Sequence, residues 1–128
     1  MNFVLCSNFD KADEILQYAT EYFEKCHYYP KIKNFGDKQE FLMEMDKRGN
    51  DIILIAWAKA KGMELVRQTA DKNKGAKIIW VSDDEDFVRF ARDHNICYFT
   101  LKYDRKTIEN ALEACGVTFS ENYYYGNI

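Results

Sequence analysis

The sequence has no long hydrophobic run. No apolar segment approaches the ~20 residues that a transmembrane helix requires. The apolar segment at the start, residues 1–6, gives way to Ser7 and Asn8 too soon for a signal peptide. These two absences predict a cytoplasmic protein that makes no contact with a membrane.

The sequence also lacks an excess of positive charge. It contains 18 Lys and Arg residues against 21 Asp and Glu residues, which gives a net charge of −3. A general nucleic-acid-binding protein needs a basic surface that displaces the counterions of the phosphates. We therefore expect no nucleic-acid partner for this segment.

Paired cysteine motifs are missing as well. The four cysteines, Cys6, Cys26, Cys97 and Cys115, form no C-x-x-C pair, so no zinc or redox motif is visible. Cytoplasmic cysteines are usually reduced, and a reduced cysteine packs as a small hydrophobic residue. Cys26 adjoins His27, but one such pair offers too few ligands for a metal ion. We expect structural thiols and no metal site.

The length and composition favour one globular domain. A chain of 128 residues with 47% apolar and 30% charged residues buries enough surface to form a core without disulfides or metals. We predict a domain over residues 1–116 and an aromatic tail over residues 117–128. The tail contains Phe119 and three adjacent tyrosines, 123–125, which either pack back on the domain or pair across a dimer.

Strand and helix patterns alternate along the chain. Apolar or alternating runs predict five strands, at residues 3–6, 31–35, 51–57, 77–81 and 96–101. Apolar residues three and four positions apart predict five helices: residues 10–26 with Asp10 as the N-cap; from Gly36-Asp37 to Gly49-Asn50; a third ending near residues 73–75; a fourth that starts at Ser82 and the acidic run 83–86, with Phe87, Val88, Phe90 and Ala91 buried; and a fifth from Asp104, its N-cap, to Gly116. This alternation predicts an α/β fold with a doubly wound, five-stranded parallel sheet and helices on both faces. The flavodoxin-like strand order 2-1-3-4-5 fits best, because strands 1 and 3 are the most apolar and strand 2 alternates as an edge strand does.

Ligands of such a sheet bind outside the carboxyl ends of the strands. The predicted ends place Ser7-Asn8, Ala56-Trp57, Ser82 and Lys102 there. We take these positions as the candidate site.

The residues around these positions resemble response-regulator receiver domains, which are CheY-like and belong to two-component signal transduction and phosphorelays. The resemblance is nearest to receivers that precede LytTR-type DNA-binding domains. Five segments carry it in the family's order: FVLCSNF at residues 3–9, similar to I-A-I-C-D-D-E; DIILIAW at 51–57, similar to D-I-I-F-L-D-I; GMELVR at 62–67, similar to G-I-E-L-A-R; AKIIWVS at 76–82, similar to A-K-I-I-F-V-T; and YFTLKY at 98–103, similar to D-Y-L-L-K-P.

The departures from the family pattern concern its chemistry. Receivers carry the phosphoryl group on an aspartate at the end of strand 3, where this chain has Ala56, and hold Mg²⁺ with two acids that here match Ser7 and Asn8. An alanine has no nucleophilic oxygen, and neutral side chains do not attract a hard dication. Ser82 and Lys102 match the phosphoryl-contacting hydroxyl and lysine. The resemblance therefore implies a pseudo-receiver without catalysis, cofactor or bound Mg²⁺.

One further match, two further departures and one hypothesis concern the surroundings of this site. Phe99 matches the aromatic residue that rotates on activation, and Tyr103 replaces the usual proline. The segment between Ala56 and Gly62 is two positions shorter than the family's. Trp57 beside Ala56 is hypothesised to fill the vacated phosphoryl pocket.

Several residues allow two interpretations. Lys102, with Ser82 and Lys59 or Lys61, is able to bind an anion, but a solvated lysine at a strand end explains it more simply. Trp57 and Trp80 favour core packing over base stacking. The acidic run with Asp83 and Asp84 favours stabilisation of a helix start over docking of a basic partner.

We expect a phosphorylation-independent signalling module that acts through protein contacts. In the family, the surface formed by helix 4, strand 5 and helix 5 often carries a homodimer contact, and here it spans residues 83–115. One alternative is the receiver part of a LytTR-type transcription regulator. Another is a receiver phosphorylated at Asp10, Ser7 or Asp51. A flavin-binding or other enzymatic function is disfavoured, because residues 7–10 make a poor phosphate loop.

Overall fold

The computed structural model describes residues 1–47 and 49–118, and the aromatic residues predicted for the tail, Phe119 and tyrosines 123–125, lie outside them. The described part contains five strands and five helices in strict alternation. They are β1 (Asn2–Ser7), α1 (Ala12–Lys25), β2 (Lys31–Phe35), α2 (Lys38–Met45), β3 (Ile52–Ala56), α3 (Lys59–Lys72), β4 (Lys77–Val81), α4 (Val88–Asp93), β5 (Tyr98–Thr100) and α5 (Arg105–Ala114). A one-turn 3-10 helix, Glu85–Phe87, precedes α4.

All strand pairs are parallel, and the order is β2-β1-β3-β4-β5. This confirms the predicted flavodoxin-like, doubly wound sheet. The central strands β1 and β3 are almost entirely buried, whereas β2 and β5 form the two edges. The apolar sequences of β1 and β3 fit their burial on both faces, as is usual for the inner strands of a parallel sheet.

Successive strand residues enter opposite cores, because side chains alternate along a strand. Phe3 and Leu5 pack with α1 and α5, whereas Val4 and Cys6 pack with α2, α3 and α4. The sheet thus separates two hydrophobic cores, with two helices over one face and three over the other. None of the helices in residues 1–47 and 49–118 is both long and apolar enough to cross a membrane.

Three details differ from the sequence-based expectations. Asp10 does not cap α1: the N-cap is Lys11, without a side-chain hydrogen bond, because a turn closed by Ala12 N–H and Phe9 C=O delays the helix. The helical pattern predicts a buried Val88, yet this side chain is 48% exposed. The fifth strand keeps only three of its six predicted residues.

Asp104 caps α5 as predicted, and Asp37, which was predicted only to open the second helix, caps α2. The Asp37 carboxylate accepts a hydrogen bond from Gln39 N–H, and the Asp104 carboxylate accepts one from Thr107 N–H. Each cap satisfies a backbone donor that the first helical turn leaves without a partner.

Val117, the first residue of the predicted tail, is fully buried and accepts a hydrogen bond at its carbonyl from the Tyr22 hydroxyl.

Candidate functional site

The carboxyl ends of four strands lie side by side. Ser7 pairs with Ala56, Ala56 with Val81, and Val81 with Thr100. Two hydrogen bonds extend this row into the loops: Asn8 N–H donates to the Ala56 carbonyl at 3.2 Å, and Ser82 N–H donates to the Thr100 carbonyl at 2.9 Å. The structure therefore brings the predicted residues from β1, β3 and β4 together at one edge.

Ala56 offers no chemistry at the centre of this edge. Its side chain is fully buried in the core beneath α1 and α5. The neighbouring Ser7 is 4% exposed, and its Oγ accepts a hydrogen bond from Phe9 N–H at 3.0 Å. This serine stabilises its own loop and is not presented to solvent as a nucleophile.

Ser82 and Asp84 organise the loop after β4. The Ser82 Oγ accepts a hydrogen bond from Asp84 N–H at 3.2 Å, and the Asp84 carboxylate accepts one from Asp86 N–H at 2.9 Å. The second bond caps the 3-10 helix that leads into α4. Part of the acidic run is thus used at a helix start, as its sequence predicted.

Asp83 has a role that the sequence did not predict. Its carboxylate accepts a hydrogen bond from the backbone N–H of Lys59 at 2.8 Å, across 24 positions of the chain. Lys59 is the first residue of α3 and has a φ of +63°, a left-handed conformation that is uncommon for a residue with a side chain. The bond joins the loop after β4 to the loop after β3.

An open cleft of about 430 Å³ lies over the β3–α3 loop. It is lined by Asn8, Trp57, Ala58, Lys59, Ala60 and Lys61. Trp57 is half-buried and packs against the core on the side of α2, α3 and α4. It therefore forms part of the wall of this cleft, beside the buried Ala56.

Gly62 explains how α3 starts so close to this loop. A Cβ atom at this position would lie 2.1 Å from the Trp57 carbonyl oxygen, a distance that no real Cβ contact reaches. Only a residue without a side chain fits this approach of helix to loop. The short β3–α3 connection thus depends on glycine here.

Lys102 lies at the same edge, two residues after β5. Its side chain is exposed, and within residues 1–47 and 49–118 its ammonium group has no hydrogen-bond or ion-pair partner. Its backbone N–H donates to Thr100 Oγ1 at 3.0 Å. Hydrogen bonds from Thr107, with a smaller contribution from the charge of Lys102, lower the pKa of Asp104.

The two aromatic residues of the predicted switch surface are both half-buried. Phe99 packs edge-on against Trp80, with ring centroids 5.0 Å apart, and Tyr103 packs against Phe9 at 5.5 Å. Trp80 is fully buried among Phe87, Phe90 and Phe99. Trp80 is a core residue, as predicted, and offers no stacking platform.

The alternative phosphoacceptors are not gathered at one place. Asp10 is exposed in the turn before α1, but Asp51 lies just before β3, at the opposite end of the sheet, where its carboxylate accepts a hydrogen bond from Asn2 N–H at 2.7 Å.

Among the described residues, no group of three or more His, Cys, Asp or Glu side chains is arranged to hold a metal ion.

Comparison with known proteins gives the fold. No family model and no curated protein matches this sequence. A CheY-like response regulator receiver domain from Methanospirillum hungatei JF-1 matches with a TM-score of 0.65 at 13% identity, over 88% of this chain and 90% of that one. A response regulator from Burkholderia pseudomallei, with a phosphorylated aspartic acid, matches with a TM-score of 0.64 at 14% identity, over 98% of this chain and 70% of that one.

A de novo designed Rossmann 2x3 fold protein is also similar, with a TM-score of 0.63 at 21% identity over 94% of each chain. The architecture of this chain is thus that of receiver domains. The designed protein has a similar architecture, so function has to be argued from side chains.

Proposed function

We propose that this chain is a non-enzymatic signalling module with the receiver fold, which acts through protein contacts and without phosphoryl transfer. The observation that carries the proposal is the fully buried Ala56 at the end of β3, where a sheet of this order presents its ligand site. A buried methyl group offers no oxygen to accept a phosphoryl group.

The polar groups around Ala56 support the same function. The hydroxyls of Ser7 and Ser82 and the carboxylate of Asp83 each accept a hydrogen bond from a backbone N–H group of their own chain. The loops at this edge are therefore held by internal contacts, and their arrangement needs neither a phosphoryl group nor a metal ion.

The similar regulator from Burkholderia pseudomallei contains a phosphorylated aspartic acid and a calcium ion. This chain has Ala56 at the position that resembles the acceptor, and Ser7 and Asn8 at those that resemble the metal-binding acids. Neutral side chains supply little attraction for a divalent cation, which prefers carboxylates. The fold is retained while the residue types needed for the chemistry are absent.

Incubation with acetyl phosphate and Mg²⁺, followed by intact-mass measurement, tests this proposal. We expect an unchanged mass, while a receiver that has its acceptor aspartate gains one phosphoryl group in parallel. A stoichiometric adduct on this chain would refute the proposal, and peptide mapping would then identify Asp10, Ser7 or Asp51 as the acceptor.

Tryptophan fluorescence provides a second test at the cleft. Trp57 forms part of the wall of the cleft, whereas Trp80 is fully buried. We expect no saturable change on titration with Mg²⁺ and beryllium fluoride, a mimic of the phosphoryl group. A saturable response that disappears in Trp57→Phe would show that the pocket still binds.

We further propose that the signal passes through the α4–β5–α5 surface, residues 83–115, and that a second copy of the chain binds there. Val88 and Leu101 on this surface are 48% and 43% exposed. The acidic run 83–86 lies at one end of it, and α4 presents the exposed Arg89 and Arg92. In a two-fold contact this surface meets an identical one, so the acids of one copy are able to pair with the arginines of the other.

Such a contact regulates without phosphate if it favours one of two arrangements of the surface. A ligand shifts a conformational equilibrium by its difference in affinity for the two states, whatever its chemistry. The half-buried Phe99, packed on Trp80, is the side chain we expect to differ between them.

A further inference from the structure

Two of the four cysteines lie next to each other. Cys97, just before β5, and Cys115, just after α5, have their Sγ atoms 3.4 Å apart. The other two are buried in separate cores: Cys6 on the side of α2, α3 and α4, and Cys26 at the end of α1. The two residues are 18 positions apart, so the sequence alone does not predict that their thiols are in contact.

Ordered backbone holds both residues in place. Cys97 N–H donates to the Ile78 carbonyl at 2.9 Å, which extends the β4–β5 pairing by one residue. Cys115 N–H donates to the carbonyls of Ala111 and Leu112 at the end of α5. The Cys97 thiol also donates to the Ala114 carbonyl at 3.4 Å. The two sulfur atoms need only a short movement to reach the ~2 Å of an S–S bond.

The two thiols differ in exposure. Cys97 is half-buried, so a small oxidant reaches it from solvent, whereas Cys115 is only 6% exposed. Burial raises the pKa of Cys115, an effect that the nearby Lys77 partly opposes. The accessible Cys97 is therefore the first to react, and Cys115 is the resolving thiol.

We propose that Cys97 and Cys115 form an oxidation site, at which hydrogen peroxide converts the two thiols into a reversible intramolecular disulfide. The Cys97 thiolate attacks one peroxide oxygen, the O–O bond breaks, and the thiol proton leaves with the released hydroxide as water, giving a sulfenic acid. The Cys115 sulfur then attacks the Cys97 sulfur and displaces hydroxide, which leaves as water with the Cys115 proton. In sum, two thiols and one peroxide give one disulfide and two waters.

The cross-link would restrain the corner of the molecule that Cys97 forms with residues 115–117. It joins the start of β5 to the end of α5, immediately before Gly116 and Val117. The carbonyls of these two residues accept hydrogen bonds from the hydroxyls of Tyr28 and Tyr22, at 3.5 Å and 3.0 Å. A disulfide removes conformations from the opened chain, so opening of this corner becomes rarer. An effect on partner binding rests on the proposed function of the α4–β5–α5 surface, whereas formation of the disulfide does not.

Treatment of the full chain with a small excess of hydrogen peroxide, read by intact mass and by alkylation after denaturation, tests the site. We expect a mass loss of two hydrogen atoms, two alkylated cysteines in place of four, and a peptide that links Cys97 to Cys115. Dithiothreitol should restore all four thiols. Four alkylatable cysteines after oxidation, or a disulfide between two chains on a non-reducing gel, would overturn the proposal.

Single variants separate the roles of the two thiols. Cys115→Ser should leave a sulfenic acid on Cys97 that dimedone traps, and Cys97→Ser should abolish oxidation under the same conditions. Cys26→Ser is the matched control, because it removes a buried thiol that lies outside the pair, and it should still lose two hydrogen atoms. If Cys97→Ser is oxidised as readily as the natural chain, the assignment of Cys97 is wrong.

Hydrogen exchange of the natural chain supplies a readout that does not depend on any variant. Exchange of the amides in residues 97–117 should slow on oxidation and recover on reduction, while the amides of β1 should not change. Equal exchange in both redox states would overturn the proposed effect on this corner.

Discussion

The carboxylate of Asp83 and the backbone N–H of Lys59 form a hydrogen bond of 2.8 Å that joins the loops after β4 and β3. The donor belongs to a lysine in the left-handed conformation, which costs about 1 kcal/mol or more for a residue with a side chain. A negatively charged group of the chain itself thus holds a strained loop at the edge of the sheet where an external anion would bind.

Replacement of Asp83 by alanine should loosen this connection. We expect Asp83→Ala to lower the free energy of unfolding by about 1 kcal/mol, the usual net contribution of such a bond at an exposed site. Amide exchange of Lys59, followed by NMR, should accelerate. Asp86→Ala is the control, since the Asp86 carboxylate has no hydrogen-bond or ion-pair partner among the described residues, and it should leave the Lys59 amide unaffected.

Ala56→Asp should not restore phosphorylation. The position is fully buried, so an unpaired carboxylate there should lower the free energy of unfolding by about 2 kcal/mol or more. Ser7 and Asn8 would still supply no charge to hold Mg²⁺. Intact mass after acetyl phosphate and thermal melting check both expectations. Labelling of this variant would contradict the claim that the metal site is lost as well as the acceptor.

Gly62→Ala adds only one methyl group, but it should lower the free energy of unfolding strongly. The added Cβ would meet the Trp57 carbonyl oxygen at 2.1 Å, so either the loop or the start of α3 has to move. We expect a loss of about 2 kcal/mol or more in chemical denaturation. Gly75→Ala is the control, because nothing lies within 4 Å of its added Cβ, and its effect should stay within about 0.5 kcal/mol. Equal effects of the two variants would contradict the close approach.

Val88→Glu should weaken self-association through the α4–β5–α5 surface. The exposed Val88 offers an apolar side chain to this contact, and a glutamate in its place would have to lose its hydration when the two copies meet. Sedimentation velocity at several concentrations should show a dimer for the natural chain and a monomer for the variant. Met43→Glu replaces another exposed apolar residue, 70% exposed on α2, and should leave the dimer intact. A natural chain that stays monomeric would exclude the second copy and leave a different protein as the partner.

Glu44 should make the free energy of unfolding depend on pH in the acidic range. Its side chain is 8% exposed, and its carboxylate accepts from Lys33 Nζ at 2.6 Å and from Lys47 Nζ at 3.1 Å. These contacts, that with Lys33 above all, lower the pKa of Glu44. A lowered pKa in the folded state means that the stabilisation is complete above the pKa of the unfolded chain and is lost as the pH falls through the pKa of the folded state.

The measurement for Glu44 is the free energy of unfolding of Glu44→Gln against the natural chain. We expect a deficit of about 1–2 kcal/mol at neutral pH, the usual size for hydrogen bonds to a charged group. The deficit should begin to shrink as the pH falls below ~4.3, the ordinary pKa of a glutamate in an unfolded chain, and should shrink further as the folded carboxyl takes up a proton at its lowered pKa. Glu64→Gln, at an exposed pair with Arg67, should lower the free energy of unfolding less than Glu44→Gln does, because solvent screens an exposed ion pair. A deficit that does not change with pH would exclude the charge as its cause.

Sheet order and core could be predicted from the sequence because they depend on local patterns. The continuous apolar run of β3 indicates burial on both faces, and the alternating Lys31 and Lys33 of β2 indicate an edge. The same patterns placed Ser7, Ala56 and Ser82 at one end of the sheet, since each directly follows or ends a strand. Burial and the ends of strands depend on the residue pattern of one segment, so they can be predicted from a single sequence.

The remaining features depend on geometry between segments. In the 3-10 helix before α4, successive side chains are rotated by about 120° instead of the roughly 100° of an α-helix. Val88, which follows it, therefore points in a different direction from the one that an α-helical pattern predicts. The contact of Asp83 with Lys59 requires knowledge of where two loops meet. The helical spacing places Cys115 on the buried side of the fifth helix, and Cys97 stands in the apolar run of the fifth strand, but neither pattern shows that the two thiols face each other.

The shortness of β5 has a consequence for recognition. A sheet edge offers unpaired backbone N–H and C=O groups, to which a strand of another molecule is able to add. At β5 this row is only three residues long, Tyr98–Thr100, and at the other edge β2 has lysines at alternating positions, which disfavour such pairing. Neither edge favours an added strand or the fibre-like stacking that starts from one, so the proposed contact with a second copy would depend on side chains.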